Sequence, residues 1–229
     1  MTTTGSGPLL GCIADDFTGA TDLGSTLVRN GMRVVQVVGA PDDALPAPEA
    51  DSIVVALKSR TAPVAEAVAD SLAACRWLRR HGARQIFFKY CSTFDSTDQG
   101  NIGPVADALR ADLGAGIVPV CPAFPENGRT IYQGHLFVGA QLLSDSPMRN
   151  HPLTPMTDAN LVRVMGRQSK GQVDLVPHPV VAQGAEAIRR DLAALQARGA
   201  AYAIIDALED VHLRDLGAAC ADLPLASGG

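Results

Sequence analysis

Two adjacent carboxylates, Asp15 and Asp16, close the apolar run "LLGCIA" and are followed at once by Thr18 and Gly19. Carboxylates accept hydrogen bonds from several hydroxyls, and a helix starting at such a point adds backbone N–H donors. Asp15, Asp16, Thr18 and Gly19 therefore suit a hydroxylated ligand, with plain N-capping by Asp16 or Thr18 as the structural alternative. Lys58, Arg60 and Lys89 fall at or near the ends of other apolar runs, where a cation must reach water or meet an anion. A bound carboxylate would serve all three; ion pairing with Asp15, Asp51 or Asp95 would serve them equally.

The stretch "CSTFDST" packs Ser92, Thr93, Asp95, Ser96 and Thr97 into a few residues, which suits a polyol or sugar acid, although part of this is ordinary turn chemistry. Cys91 has no neighbour that would lower its pKa and reads as an inert thiol. Further along, Arg129, His135, Arg149, Asn150 and His151 offer donors and titratable rings, and a histidine general base is one use for them. His81, His178 and His212 read as surface or turn residues. The five histidines form no i, i+4 pair and no H-E-x-x-H, so no dedicated zinc site is expected. Neither G-x-x-x-x-G-K-[ST] nor G-x-G-x-x-G follows the first strand, so no familiar nucleotide loop is expected either.

Positioning these residues requires a scaffold with many strand ends. Short Val- and Ile-rich runs ("RVVQVVG", "SIVVAL", "QIFFKY", "GIVPVCPA") alternate with longer amphipathic stretches ("ATDLGSTLVRNG", "PVAEAVADSLAACRWLRRHG", "NIGPVADALRADLG"). That alternation predicts βαβ units: an α/β fold with a Rossmann-like, mainly parallel sheet flanked by helices. Gly31, Gly82, Gly114 and Gly199 stand where C-cap glycines belong, behind basic residues, and Pro63 and Pro104 suit first turns. From Ala123 to about Asp158 the periodicity fails, which predicts a long irregular insertion of the kind that often acts as a functional loop. Ligands of open parallel sheets bind beyond the carboxyl ends of the strands, so the segments after the first, third, fourth and fifth strands should open onto one crevice. The closing "LPLASGG" looks like one more strand cut short, as if the chain were the front part of a longer one.

Composition narrows the partner. The 229 residues are 47% hydrophobic with a net charge of -5, only 4% are aromatic, and the five cysteines are odd in number and widely spaced. Nucleic acid and anionic membranes are excluded as expected partners, no run reaches the ~18 apolar residues of a span, and the thiols suit the cytoplasm. A small anionic, hydroxylated ligand is the residue-level expectation.

Several stretches together carry a resemblance: "IADDFTGATD", "ALKSR", "FKYCSTFDSTDQGNIGPV", "PAFPENGRTIYQGHLFV" and "SPMRNHPLTPMTDANLVR". In this order they resemble the N-terminal part of the four-carbon acid sugar kinases. The "KYCSTFDST" and "MRNHPLTPMTD" forms most resemble the 3-oxo-tetronate 4-kinases, with D-threonate or D-erythronate 4-kinase, or a non-catalytic binding module, as alternatives. The resemblance implies that residues 1–229 form a sugar-acid-binding domain and that the C-terminal nucleotide-binding domain is absent from this chain. It implies ATP and Mg²⁺ as cofactors of the full-length enzyme, neither held tightly by this chain, and no metal site here. It implies a four-carbon sugar acid as partner, allows a homodimer, and makes Asp16 the residue that orients or deprotonates the attacking hydroxyl. Asp15, Asp16, Thr18, Lys58, Arg60, Lys89, Ser92, Thr93, Asp95, Arg129, Arg149 and His151 are then the expected substrate contacts. An aldolase or isomerase using Lys89 or Lys58 as an amine nucleophile is the competing enzyme class.

Overall fold

The computed structural model describes residues 7–42 and 44–229. The apolar runs become strands and the amphipathic stretches helices: β1 (Leu10–Ala14), α1 (Phe17–Arg29), β2 (Val34–Val38), β3 (Ser52–Ala56), α2 (Val64–Arg80), β4 (Gln85–Lys89), α3 (Ile102–Asp112) and β5 (Val118–Cys121). After the irregular segment follow α4 (Leu161–Gln168), β9 (Gln172–Val176), α5 (His178–Val181), α6 (Ala185–Ala197), β10 (Ala200–Ile205), α7 (Asp210–Ala219) and β11 (Leu225–Gly228). Gly31, Gly82, Gly114 and Gly199 all adopt positive φ, as helix-ending glycines do.

Eight strands form one sheet in the order β2-β3-β1-β4-β11-β5-β10-β9, every neighbouring pair parallel. Both faces are covered, which is why β1, β3, β5 and β10 are buried almost throughout. On one face Cys12, Ala14, Val54 and Ala56 meet Ala20, Leu23 and Leu27 of α1; the small side chains let the helix lie close. On the other, Ile13, Val55 and Phe88 join Trp77, Leu78, Val105 and Leu109 of α2 and α3 in the main core. Burying each large side chain is worth about 1.5–3 kcal/mol before the entropy cost of ordering it.

From β1 the chain runs to β2 on one side, and from β4 to β5 on the other. Because β1 and β4 are neighbours, their carboxyl-end loops diverge and leave a crevice, the usual ligand position in such sheets. The last strand is not an extra edge: β11 inserts between β4 and β5. Its glycine is required there, since a Cβ at Gly228 would sit 2.4 Å from the Cys121 carbonyl oxygen.

The expected irregular insertion holds more structure than the sequence suggests. Residues 129–142 form a small antiparallel sheet of β6 (Arg129–Tyr132), β7 (His135–Val138) and β8 (Gln141–Leu142), followed by short 3-10 turns. The strands are too short to show alternation. Asp206, at the end of β10, anchors the β6–β7 turn by accepting from the Gln133 and Gly134 amides at 2.7 and 2.9 Å, and it also accepts from the His178 amide at 2.8 Å. Burial raises its carboxyl pKa, and the three backbone donors oppose that.

Candidate functional site

The ends of β3, β1 and β4 are laced together by backbone. The Asp15 amide donates to the Lys89 carbonyl at 3.0 Å, and the Ser59 and Arg60 amides donate to the Asp15 carbonyl at 3.0 and 3.2 Å. Asn101 secures the loop after β3 from α3, its side-chain amide donating to the Ser59 and Ala62 carbonyls at 2.7 and 2.9 Å. Above this frame lies an open pocket of about 210 Å³, lined by Asp15, Asp16, Lys58, Arg60, Thr61, Asp95, His151, Leu153 and Thr154.

Arg60 organises the acidic side of the pocket. Its Nε and Nη2 donate to the two oxygens of Asp15, both at 2.8 Å; Nη2 also lies 3.0 Å from Asp16 Oδ1, and Nη1 3.8 Å from Asp95 Oδ2. Burial raises the Asp15 carboxyl pKa, an effect the Arg60 hydrogen bonds and charge oppose. Burial pulls the other way on Arg60, yet Asp15 and Asp16 hold its pKa above the usual guanidinium value. The ion-pair alternative thus describes Arg60.

Asp16 is the N-cap of α1: its backbone is extended, and Oδ1 accepts from the Gly19 amide at 2.8 Å. Capping does not exhaust it, because among the described residues no hydrogen bond ends on Oδ2. Gly19 makes this possible, since a Cβ there would stand 2.5 Å from Asp16 Oδ1 and 3.3 Å from Lys89 Nζ.

The three expected cations differ in state. Lys58 is exposed at the pocket wall and has no ion-pair partner among the described residues. Lys89 is buried beside α1, and its Nζ donates to the Tyr90 carbonyl at 2.9 Å. Burial lowers its pKa, with Asp15, Cys91 and Asp16 acting against that. It does not line the pocket.

After β4, Thr93 donates to Asp95 Oδ1 at 2.5 Å and so orients a carboxylate that lines the pocket. Phe94 between them takes a positive φ of 51° while fully buried, a strained conformation held by its surroundings. Ser92 lies outside the pocket lining, against Gly229 just past the end of β11, where a Cβ would stand 2.8 Å from Ser92 Cα. Burial raises the Cys91 thiol pKa, which agrees with an inert group.

The structure therefore brings together Asp15, Asp16, Lys58, Arg60, Asp95 and His151, with Thr93 and Lys89 in support. Thr18 is exposed on the first turn of α1 and is not in the pocket lining. Arg129 and Arg149 are also apart: Arg129 donates to the Asn127 carbonyl within its own turn, and Arg149 to the Ser144 carbonyl at 3.2 Å. Thr61, Leu153 and Thr154 also line the pocket; Leu153 and Thr154 lie within the "MRNHPLTPMTD" stretch that carries the resemblance, but neither residue type marks itself as a pocket contact. His212, read from sequence as a surface or turn residue, is buried, and its Nδ1 accepts from the Leu208 and Glu209 amides at the start of α7. Such a capping histidine has no sequence signature.

Comparison with known proteins places this geometry in context. Residues 10–229 match the model of a family described as a sugar-binding N-terminal domain. A 3-oxo-tetronate kinase of Burkholderia multivorans is 62% identical over 229 residues, covering 100% of this chain and 53% of that protein. A solved Haemophilus influenzae protein superposes with a TM-score of 0.93 at 51% identity, covering 96% of this chain and 53% of that one. A Bordetella bronchiseptica domain of unknown function, solved with bound citrate as a domain-swapped dimer, gives a TM-score of 0.82 at 28% identity over 97% of this chain and 55% of that one. The chain spans about half the length of the curated relatives it matches.

Proposed function

Because the chain belongs to the family of sugar-binding N-terminal domains, we propose that it is the acceptor-binding half of an ATP-dependent kinase acting on the terminal hydroxyl of a four-carbon sugar acid, 3-oxo-tetronate above D-threonate or D-erythronate. The observation that carries this reading is the division of the pocket. Asp15, Asp16 and Asp95 gather around Arg60, while Lys58 stands apart with its charge unmatched by any described residue. A tetronate has the complementary shape: hydroxyls for the aspartates, a carboxylate for Lys58. Citrate in the Bordetella relative supports a hydroxylated carboxylic acid as the ligand class, and the name of the Burkholderia relative supports the tetronate.

Phosphoryl transfer depends chiefly on placing the attacking oxygen in line and stabilising charge, so a base needs no unusual pKa. Asp16 fits that task, with Oδ1 fixed by Gly19 and Arg60 and Oδ2 left to take the acceptor hydroxyl. ATP would supply the phosphoryl group and Mg²⁺ would offset its charge; in this reading both are cofactors of the whole kinase, and the pocket described here takes the hydroxy acid. In this reading the site works in the cytoplasm, and a dimer is its expected assembly, supported by the domain-swapped relative. Among the described residues no helix is long and apolar enough to cross a membrane.

The test is calorimetric titration of this chain with the three sugar acids, together with phosphorylation assays on the chain joined to the second half found in its relatives. Binding by the short chain and turnover only by the long one support the proposal. Binding without turnover in either points to a binding module. A borohydride-trapped lysine adduct would overturn it in favour of amine chemistry.

A further inference from the structure

His151 lines the pocket, and both hydrogen bonds to its ring end on the same nitrogen. The Thr154 amide nitrogen lies 3.1 Å from His151 Nδ1, and the Thr154 hydroxyl oxygen 2.8 Å from the same atom. A backbone N–H can only donate, so Nδ1 must offer its lone pair, and the hydroxyl then donates to it as well. A neutral imidazole whose Nδ1 accepts carries its proton on Nε2. Among the described residues Nε2 has no hydrogen-bond partner. Both residues line the pocket, but Thr154 is buried whereas His151 is half-buried, so the ring is the more open of the two to a ligand.

We propose that Thr154 is a positioning residue that holds His151 as the Nε2–H tautomer, so that His151 donates a hydrogen bond to an oxygen of the bound acid and does not take the proton of the attacking hydroxyl. The donor role rests on the sugar-acid reading; the tautomer does not. The arrangement separates two candidates that sequence alone leaves level. A ring with its proton on Nε2 has no lone pair facing the ligand, whereas Asp16 Oδ2 does, so proton removal falls to Asp16.

Among the described residues three other charged clusters are internally satisfied: Arg76 is paired with Asp112, Arg167 bridges Asp98 and Asp158, and the Asp206 carboxylate is filled by backbone amides.

Two measurements decide the matter. Long-range ¹H–¹⁵N correlation spectra of the histidine-labelled chain, with His151→Phe identifying the signal, should show His151 protonated on Nε2 alone at neutral pH; a proton on Nδ1 overturns the proposal. Calorimetric titration with D-erythronate, D-threonate and 3-oxo-tetronate should show Thr154→Ala weakening binding by about 3- to 10-fold, the scale of one hydrogen bond. Thr154→Ser should restore it. His151→Asn, which keeps a side-chain donor, should bind more tightly than His151→Phe. Equal affinity of Asn and Phe variants overturns the donor role. Failure of the unaltered chain to bind any of the three acids, with the Nε2–H tautomer present, overturns the sugar-acid reading and the donor role while the tautomer stands.

Discussion

The Arg60 guanidinium spans both oxygens of Asp15 with two hydrogen bonds of 2.8 Å, and so joins the loop after β3 to the end of β1. Only about 6% of the Asp15 side chain is exposed. Arg60→Ala would leave a buried anion without its partner, which costs roughly 3–5 kcal/mol, and urea unfolding should register a loss of that order. Arg60→Lys should recover little, because an ammonium cannot occupy both oxygens. The sign of the pH dependence follows from burial raising the Asp15 pKa. With its folded pKa above the unfolded value, Asp15 binds more protons when folded in the window between them, so stability falls as pH rises through it. Arg60 opposes this, so the penalty of Arg60→Ala should be smaller at pH 4 than at pH 7. A constant penalty would count against the buried-anion account.

Gly19 is where the cap and the proposed base meet. Since a Cβ would sit 2.5 Å from Asp16 Oδ1, Gly19→Ala must displace the carboxylate or the helix start. The helix interior would ordinarily gain from alanine by about 0.5–1 kcal/mol. Here the lost cap should cancel that gain, typically ~1 kcal/mol, leaving stability near neutral while sugar-acid binding drops. Calorimetry beside thermal unfolding checks both halves; a stabilised variant with full affinity would refute the tight fit.

Lys58 offers the converse case, with charge in the pocket but no structural partner among the described residues. Lys58→Gln should change stability by no more than about 0.5 kcal/mol, the usual range for surface substitutions. Binding of a sugar acid should weaken by about 1.5–3 kcal/mol, the worth of a hydrogen bond to a charged group. The affinity of the unaltered chain should also fall as salt rises, more steeply than that of the variant. Equal salt slopes would place the ligand carboxylate elsewhere.

The strand and helix pattern was legible because a parallel sheet covered on both faces leaves near-continuous apolar runs, and "SIVVAL" could hardly be anything else. That Asp15, Asp16, Lys58, Arg60 and Asp95 line one pocket was legible for a related reason: strand ends in such sheets share one edge. Arg129 and Arg149 stand apart from that pocket: donor chemistry in an irregular segment says nothing of direction, and both side chains turn back onto nearby carbonyls. The placement of β11 between β4 and β5 was illegible, since strand order depends on packing between elements distant in sequence. Thr154 escaped notice because its contribution is a bond to another side chain's nitrogen, which residue type alone does not disclose.

Asp158 ties the pocket-bearing segment to α4 and to the loop after β4. It accepts from Arg163 Nε and Nη2 at 3.0 and 2.7 Å and from Arg167 Nη2 at 2.6 Å, while Arg167 Nε reaches Asp98 at 3.0 Å. The Arg163 hydrogen bonds hold its carboxyl down at about 2, below the usual 3.8, with burial opposing them. A depressed folded pKa means that the unfolded chain binds the proton first as pH falls. The stabilising contribution is therefore complete well above pH 3.8 and is lost between there and about pH 2. Other paired carboxylates, Asp51 with Arg33 among them, titrate in the same window, so the informative quantity is a difference. Asp158→Asn should unfold at a lower temperature than the unaltered chain at pH 7, by roughly 2–4 °C for each kcal/mol lost. The two unfolding temperatures should converge as pH approaches 2. Parallel curves across that range would show that the arginines hold the segment through contacts other than the ionised carboxylate.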